Sequence, residues 1–221
     1  LWFSGQVVSL VGTWMQSTAQ GYLVYQLTES PVMLGLVGFA NGIPVWLFSL
    51  HAGRIADRIS RRKMLIITQG SMMLLAFILA FLTFTNLVKP WHIIILALLL
   101  GTANAFDATG RQSFVIDLVP REDLTNAIAL NSSVFNLGTI VGPTIAAVVY
   151  AWLGPGWCFT INGISFIAVI AALGLMHLPP RKPVKPDEGS GFGKLTDGLQ
   201  FSFQDKNIRV LLIMLTVTAI F

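Results

Sequence analysis

Asp107 and Arg111 stand four residues apart in the run Asn104-Ala105-Phe106-Asp107-Ala108-Thr109-Gly110-Arg111-Gln112. Four residues is about one helical turn, so a carboxylate and a guanidinium at this spacing share a face and can pair. An apolar stretch precedes them, and a charge in apolar surroundings is costly unless it is paired or opens on a wet cavity. Two chemistries fit: a group that takes part in moving charge through an apolar phase, or an ion pair that anchors a helix end at its boundary. A second cluster, Gly53-Arg54-Ile55-Ala56-Asp57-Arg58-Ile59-Ser60-Arg61-Arg62-Lys63, sets Asp57 among five basic residues. A third carboxylate, Asp117, follows in Val115-Ile116-Asp117-Leu118-Val119-Pro120.

The elements that must carry these groups are dictated by composition. Of the 221 residues, 54% are hydrophobic and 11% charged, whereas a soluble domain carries about 25% charged residues. Too little polar surface exists to cover a water-soluble globule, so lipid is the expected solvent. Six segments, approximately 2–27, 31–52, 64–86, 91–110, 125–152 and 157–178, come near or exceed the ~20 apolar residues of a spanning helix. A chain in lipid must satisfy its own backbone, which leaves helices or a closed barrel. The segments lack the two-residue alternation of barrel strands. They also mostly lack the polar face of a soluble bundle. The expected fold class is therefore an all-α membrane protein.

The connections alternate in kind. Those after helices two, four and six, with their flanks, hold Arg54, Arg58, Arg61, Arg62, Lys63, Arg111, Arg121, Arg181, Lys182, Lys185, Lys194, Lys206 and Arg209; the others hold only Lys89. Thirteen against one is a positive-inside bias, which puts the even-numbered loops and the N-terminus on the cytoplasmic side of a cell (inner) membrane. The basic balance is thus topology, and no nucleic-acid partner is expected. Residues 179–207 break the pattern: Pro179-Pro180-Arg181-Lys182-Pro183 starts a linker. Phe192, Leu195, Leu199 and Phe203 then give it a short amphipathic helix at the membrane surface or leave it a plain linker. The apolar stretch 208–221 has 14 residues, about 21 Å as helix, short of a roughly 30 Å core. With Leu1 rather than Met at the start, both ends are expected to continue, and 208–221 to begin a seventh helix.

Within the spans, Gln6, Ser9, Thr13, Gln16 and Gln20 recur at steps of three and four. Such a stripe faces either a water-filled cavity, with Asn41, Asn104, Asn131 and Asn136 completing the lining, or another polar helix. Gly138 and Gly142 in helix five allow close helix approach, and Pro143 bends that helix. Trp14, Tyr22 and Phe39 offer stacking surfaces to an aromatic solute, or ordinary packing. His51, His92 and His177 lie at helix ends without ligand spacing, so no metal is expected. The lone Cys158 permits no internal disulfide, and no phosphate-binding loop points to ATP hydrolysis. No enzyme and no cofactor are expected.

GRIADRISRRK resembles the loop signature of the major facilitator superfamily, roughly G-x-L-A-D-R-x-G-R-K, departing at Ile55 and Ser60. Ser60 implies a backbone there that does not demand glycine. The resemblance covers the whole chain as a six-helix N-terminal half (1–178), a linker (179–207) and the start of helix seven. It implies that Asp57, with Gly53 at the turn and Arg58, Arg61 and Arg62 in support, acts as a gate latch, with Asp117 and Arg111 as neighbours. The stretch Phe106–Asn131 is similar to the branch containing the bacterial enterobactin exporter. Gly138-Thr139-Ile140-Val141-Gly142-Pro143 resembles the helix-five signature of antiporters, with Ala146 and Ala147 in place of the last glycines. The expected function is secondary transport: proton-driven efflux of a small amphipathic solute of drug or siderophore type by alternating access, with Asp107 as candidate coupling group. The expected partners are that solute and the bilayer, and the full-length protein is expected to be a monomer. An uptake symporter or facilitator of the same fold, and a non-transporting sensor or scaffold, remain open.

Overall fold

Proline sets the start of every even-numbered helix. In the computed structural model, which describes residues 2–176 and Met214, Pro31, Pro90 and Pro155 open α2 (Pro31–Arg58), α4 (Pro90–Leu118) and α6 (Pro155–Leu175). A first-turn residue needs no intrahelical donor, so the missing N–H costs nothing there. Between them run α1 (Trp2–Thr28), α3 (Arg61–Phe84) and α5 (Leu124–Leu153), the last entered through a short 3-10 turn at Arg121–Asp123. No strand occurs among the described residues. Residues 177–213 and 215–221, with His177, the expected linker and the seventh helix, lie outside them.

Among the described residues five helices, α2 to α6, are long and apolar enough to cross a membrane. At 27 residues, about 40 Å, α1 is also long enough, but its glutamines, serines and threonines dilute its apolar content. Four of those side chains, Gln6, Ser9, Gln16 and Gln20, are turned into the bundle and buried.

Two helix ends run past the limits expected from hydrophobicity. α2 continues to Arg58 and α3 begins at Arg61, so the connection is Ile59-Ser60 rather than about ten residues. α4 continues past 110 to Leu118. Hydrophobicity stops where lipid stops, but the backbone ladder runs on until something breaks it. For α4 that is Val119, held extended at φ −127°, ψ 148° by the proline after it. Gly53 accordingly lies inside α2, and a Cβ added to it would meet nothing within 4 Å. The glycine is neither at the turn nor at a close approach, which corrects the reading that it shapes the loop. Ser60, at φ −56°, has a conformation any residue adopts.

Apart from α3 with α4, chain neighbours scarcely pack on each other. The main partnerships are instead α2 with α4, α1 with α5, α3 with α6, α1 with α6 and α3 with α4. Exchanging α1–α3 for α4–α6 maps this set onto itself, so the bundle is two interlocked three-helix repeats, a relation the sequence itself does not display. The equivalent helices α2 and α5 each carry an internal proline, Pro44 and Pro143. Small residues mark the crossings, as expected where lipid offers no hydrophobic drive and close packing holds helices together. A Cβ on Gly142 would sit 2.5 Å from Trp14 Cβ and 2.9 Å from the Val11 carbonyl of α1. On Gly101 it would fall 2.0 Å from the Asn41 carbonyl of α2.

Candidate functional site

Of the six acids between residues 2 and 176, five sit in a connection, in the 3-10 turn or in the last turn of a helix. Asp107 alone lies in a helix interior, eleven residues before the end of α4, about 16 Å along its axis. It is 1% exposed. Arg111 Nε approaches its Oδ2 at 2.9 Å, the pairing that the four-residue spacing allows. The other oxygen, Oδ1, accepts from two α3 side chains, Thr68 Oγ1 and Gln69 Nε2, each at 2.9 Å. The Thr68 hydroxyl also lies 3.1 Å from the Leu65 carbonyl, and its single proton serves one acceptor at a time. Because a carboxylate only accepts, Gln69 must turn its amide N–H to Asp107, and its Oε1 is left buried without a partner.

Sequence reasoning missed Thr68 and Gln69. Their signal was available, two adjacent polar residues inside an apolar span, but the partner on α4 is 38 and 39 residues away and only packing reveals it.

A second polar junction occupies the related crossing of α1 with α6. Asn162 Nδ2 donates to Gln16 Oε1 at 2.7 Å, and Ser165 Oγ donates to the Asn162 carbonyl at 2.7 Å. Gly12 makes room for it, since a Cβ there would fall 2.5 Å from Asn162 Oδ1. Thr68 is seven residues into α3 and Asn162 seven into α6, as the exchange of repeats requires. One junction is charged and the other neutral.

This arrangement corrects the expectation that Gln16 and Gln20 line a cavity. They are 3% and 5% exposed within the bundle itself, and anything packed outside it could only cover them further. Gln16 is an interhelical hydrogen-bond acceptor instead. Asn41 and Asn104 are half-buried and Asn136 is exposed on α5, unlike the buried glutamines. Gly138 and Gly142 both face α1, and Gly138 would bring a Cβ to 3.0 Å from the Trp14 ring.

The basic cluster lies where α2, α4 and α6 end and α3 begins. Arg61 donates to the Ser113 carbonyl of α4, and Arg62 Nη2 donates to the Gly174 carbonyl of α6 at 2.7 Å. Gly174 lies in the last turn of α6, where carbonyls lack intrahelical partners and carry the negative end of the helix dipole, so a guanidinium group suits it. Asp57 and Arg58 fall in the last turn of α2 and Asp117 in the last turn of α4, at this same end. Their side chains lie outside the described ones.

Residues 1–221 match the family described as transmembrane secretion effector, a branch of the major facilitator superfamily. The staphyloferrin A transporter of Staphylococcus aureus is 32% identical over 175 residues, 78% of this chain and 44% of that protein. The enterobactin exporter of Citrobacter koseri is 27% identical over 191 residues, 84% of this chain and 44% of the exporter. Macrolide efflux protein A of Streptococcus pyogenes is 24% identical over 171 residues, 77% and 41% respectively. The chain thus spans less than half the length of these curated relatives.

Proposed function

The chain belongs to the transmembrane secretion effector family of the major facilitator superfamily, and from that membership we propose that it is part of a secondary exporter of a small amphipathic molecule. Export proceeds by alternating access, with this bundle rocking as one wall of a midplane site, and a proton gradient drives it. The observation that carries the reading is the Asp107–Arg111 pair, buried in a bundle of membrane helices. Ionisable groups at such depth are costly and belong by default to function. Two relatives named for export, of enterobactin and of a macrolide, favour the outward direction and a siderophore or drug as cargo.

In this reading Asp107 is the coupling carboxylate, and Asp57 with Arg58, Arg61, Arg62 and Asp117 forms the gate at the basic end. That end faces the cytoplasm of the inner membrane, following the charge bias, and the protein works as a monomer.

The test uses the full-length protein in cells lacking their own exporters. Accumulation of a panel of siderophores and macrolides is measured with and without a protonophore. The protein should lower the accumulation of at least one compound, and the protonophore should abolish the difference. Asp107→Asn and Asp57→Asn should each lose most of the export at unchanged membrane abundance. Protonophore-insensitive export would sink the coupling, raised accumulation would reverse the direction, and full export by Asp57→Asn would remove the latch.

A further inference from the structure

An open groove of about 430 Å³ runs along the outside of the bundle between the end of α2, α3 and α4. Its size lies in the ~300–1,000 Å³ range of small-ligand sites. The wall is apolar, led by Ile55, Ile59, Ile67, Leu74 and Leu99, all of them well exposed. Three hydroxyls interrupt it, and none is free to donate outward. Ser71 donates to the Ile67 carbonyl and Thr102 to the Leu98 carbonyl, each at 2.9 Å, and Thr68 donates to Asp107. A polar solute would find few donors here, whereas a hydrocarbon chain needs none.

One end of the groove is basic. Lys63 is exposed and precedes Ile67, Ser71 and Leu74 on the same row of α3, at helical steps of four, four and three. A long cationic side chain at such a position carries its charge to the level of the lipid headgroups.

We propose that this groove holds an acyl chain of an anionic phospholipid from the leaflet at the basic end, with the headgroup phosphate on Lys63. The apolar wall and the cationic mouth are the two parts of such a ligand, in the right order along the membrane normal. The site rests on the membrane embedding of the bundle alone and stands or falls independently of what the protein exports.

The full-length protein, equilibrated in mixed micelles with equal amounts of phosphatidylglycerol and phosphatidylcholine, is examined by native mass spectrometry for retained lipid. The wild type should retain phosphatidylglycerol in preference to phosphatidylcholine. Lys63→Gln should cut that preference about fivefold, the effect of one lysine near an anionic surface, without abolishing retention. Ile67→Trp and Leu99→Trp fill the groove from its two walls and should each lose the bound lipid. Both sites are exposed, so a folding defect in both is not expected, and Ile164→Trp on an exposed position of α6 controls for the added indole. Equal retention of the two lipids by the wild type would overturn the proposal. So would wild-type retention in both groove variants, the result expected if other protein covers the groove.

Discussion

Asp107 accepts from three side chains on two helices, and none of those partners replaces another. Removing the carboxylate strands the Arg111 guanidinium, itself 19% exposed, and takes the acceptor from the Gln69 amide, while Thr68 keeps the Leu65 carbonyl. Breaking a buried pair from one side costs about 3–5 kcal/mol, while removing both charges costs less because no orphan remains. Asp107→Ala should therefore lower stability by about 3 kcal/mol in a detergent-unfolding titration. The double variant Asp107→Ala/Arg111→Ala should lose less than the sum of the two single variants; strict additivity would show that the pair is not coupled. The pair could be anticipated from four-residue spacing, because that is local helix geometry. Thr68 and Gln69 could not, because their role depends on which face of α3 meets α4.

Glycines show how an element's surroundings, rather than its sequence, decide what a residue does. Gly142 and Gly53 look alike as helix positions, yet one touches the backbone of α1 and the other touches nothing. Gly142→Ala must push α1 away from α5 and should cost about 1–3 kcal/mol, as overpacking does. Gly53→Ala should be neutral or stabilise by up to about 1 kcal/mol, the helix-propensity gain of alanine. The two are compared in the same unfolding titration; a large loss for Gly53→Ala would restore a conformational role to that position. The loop signature is itself mostly helix: its first six residues close α2 and its last three open α3. The motif was legible as a string, but its shape was not, since charged residues can extend a helix beyond the membrane as readily as they form a loop.

At the scale of the whole molecule, the α2–α3 connection lies at the end where the basic residues gather, and a thiol at exposed Ser60 reports which side that is. In intact cells, Ser60→Cys in the full-length protein should resist an impermeant maleimide and react only once the membrane is opened. Labelling from outside would invert the topology. Cys158 gives little background in this chain because it is fully buried. The sequence by itself determined that the chain is a set of membrane helices, that six lie among the described residues, and which connections are basic. Those properties follow from local composition, because a backbone in lipid has so few ways to satisfy its hydrogen bonds. Only the tertiary structure decided that α1 turns Gln6, Gln16 and Gln20 into protein rather than a cavity, and that three-helix repeats interlock. It alone revealed that a buried acid on α4 is held from α3. Each of these depends on which faces of distant helices meet, and helix pairing in lipid is set by small residues and polar partners whose matches are not written in any one segment.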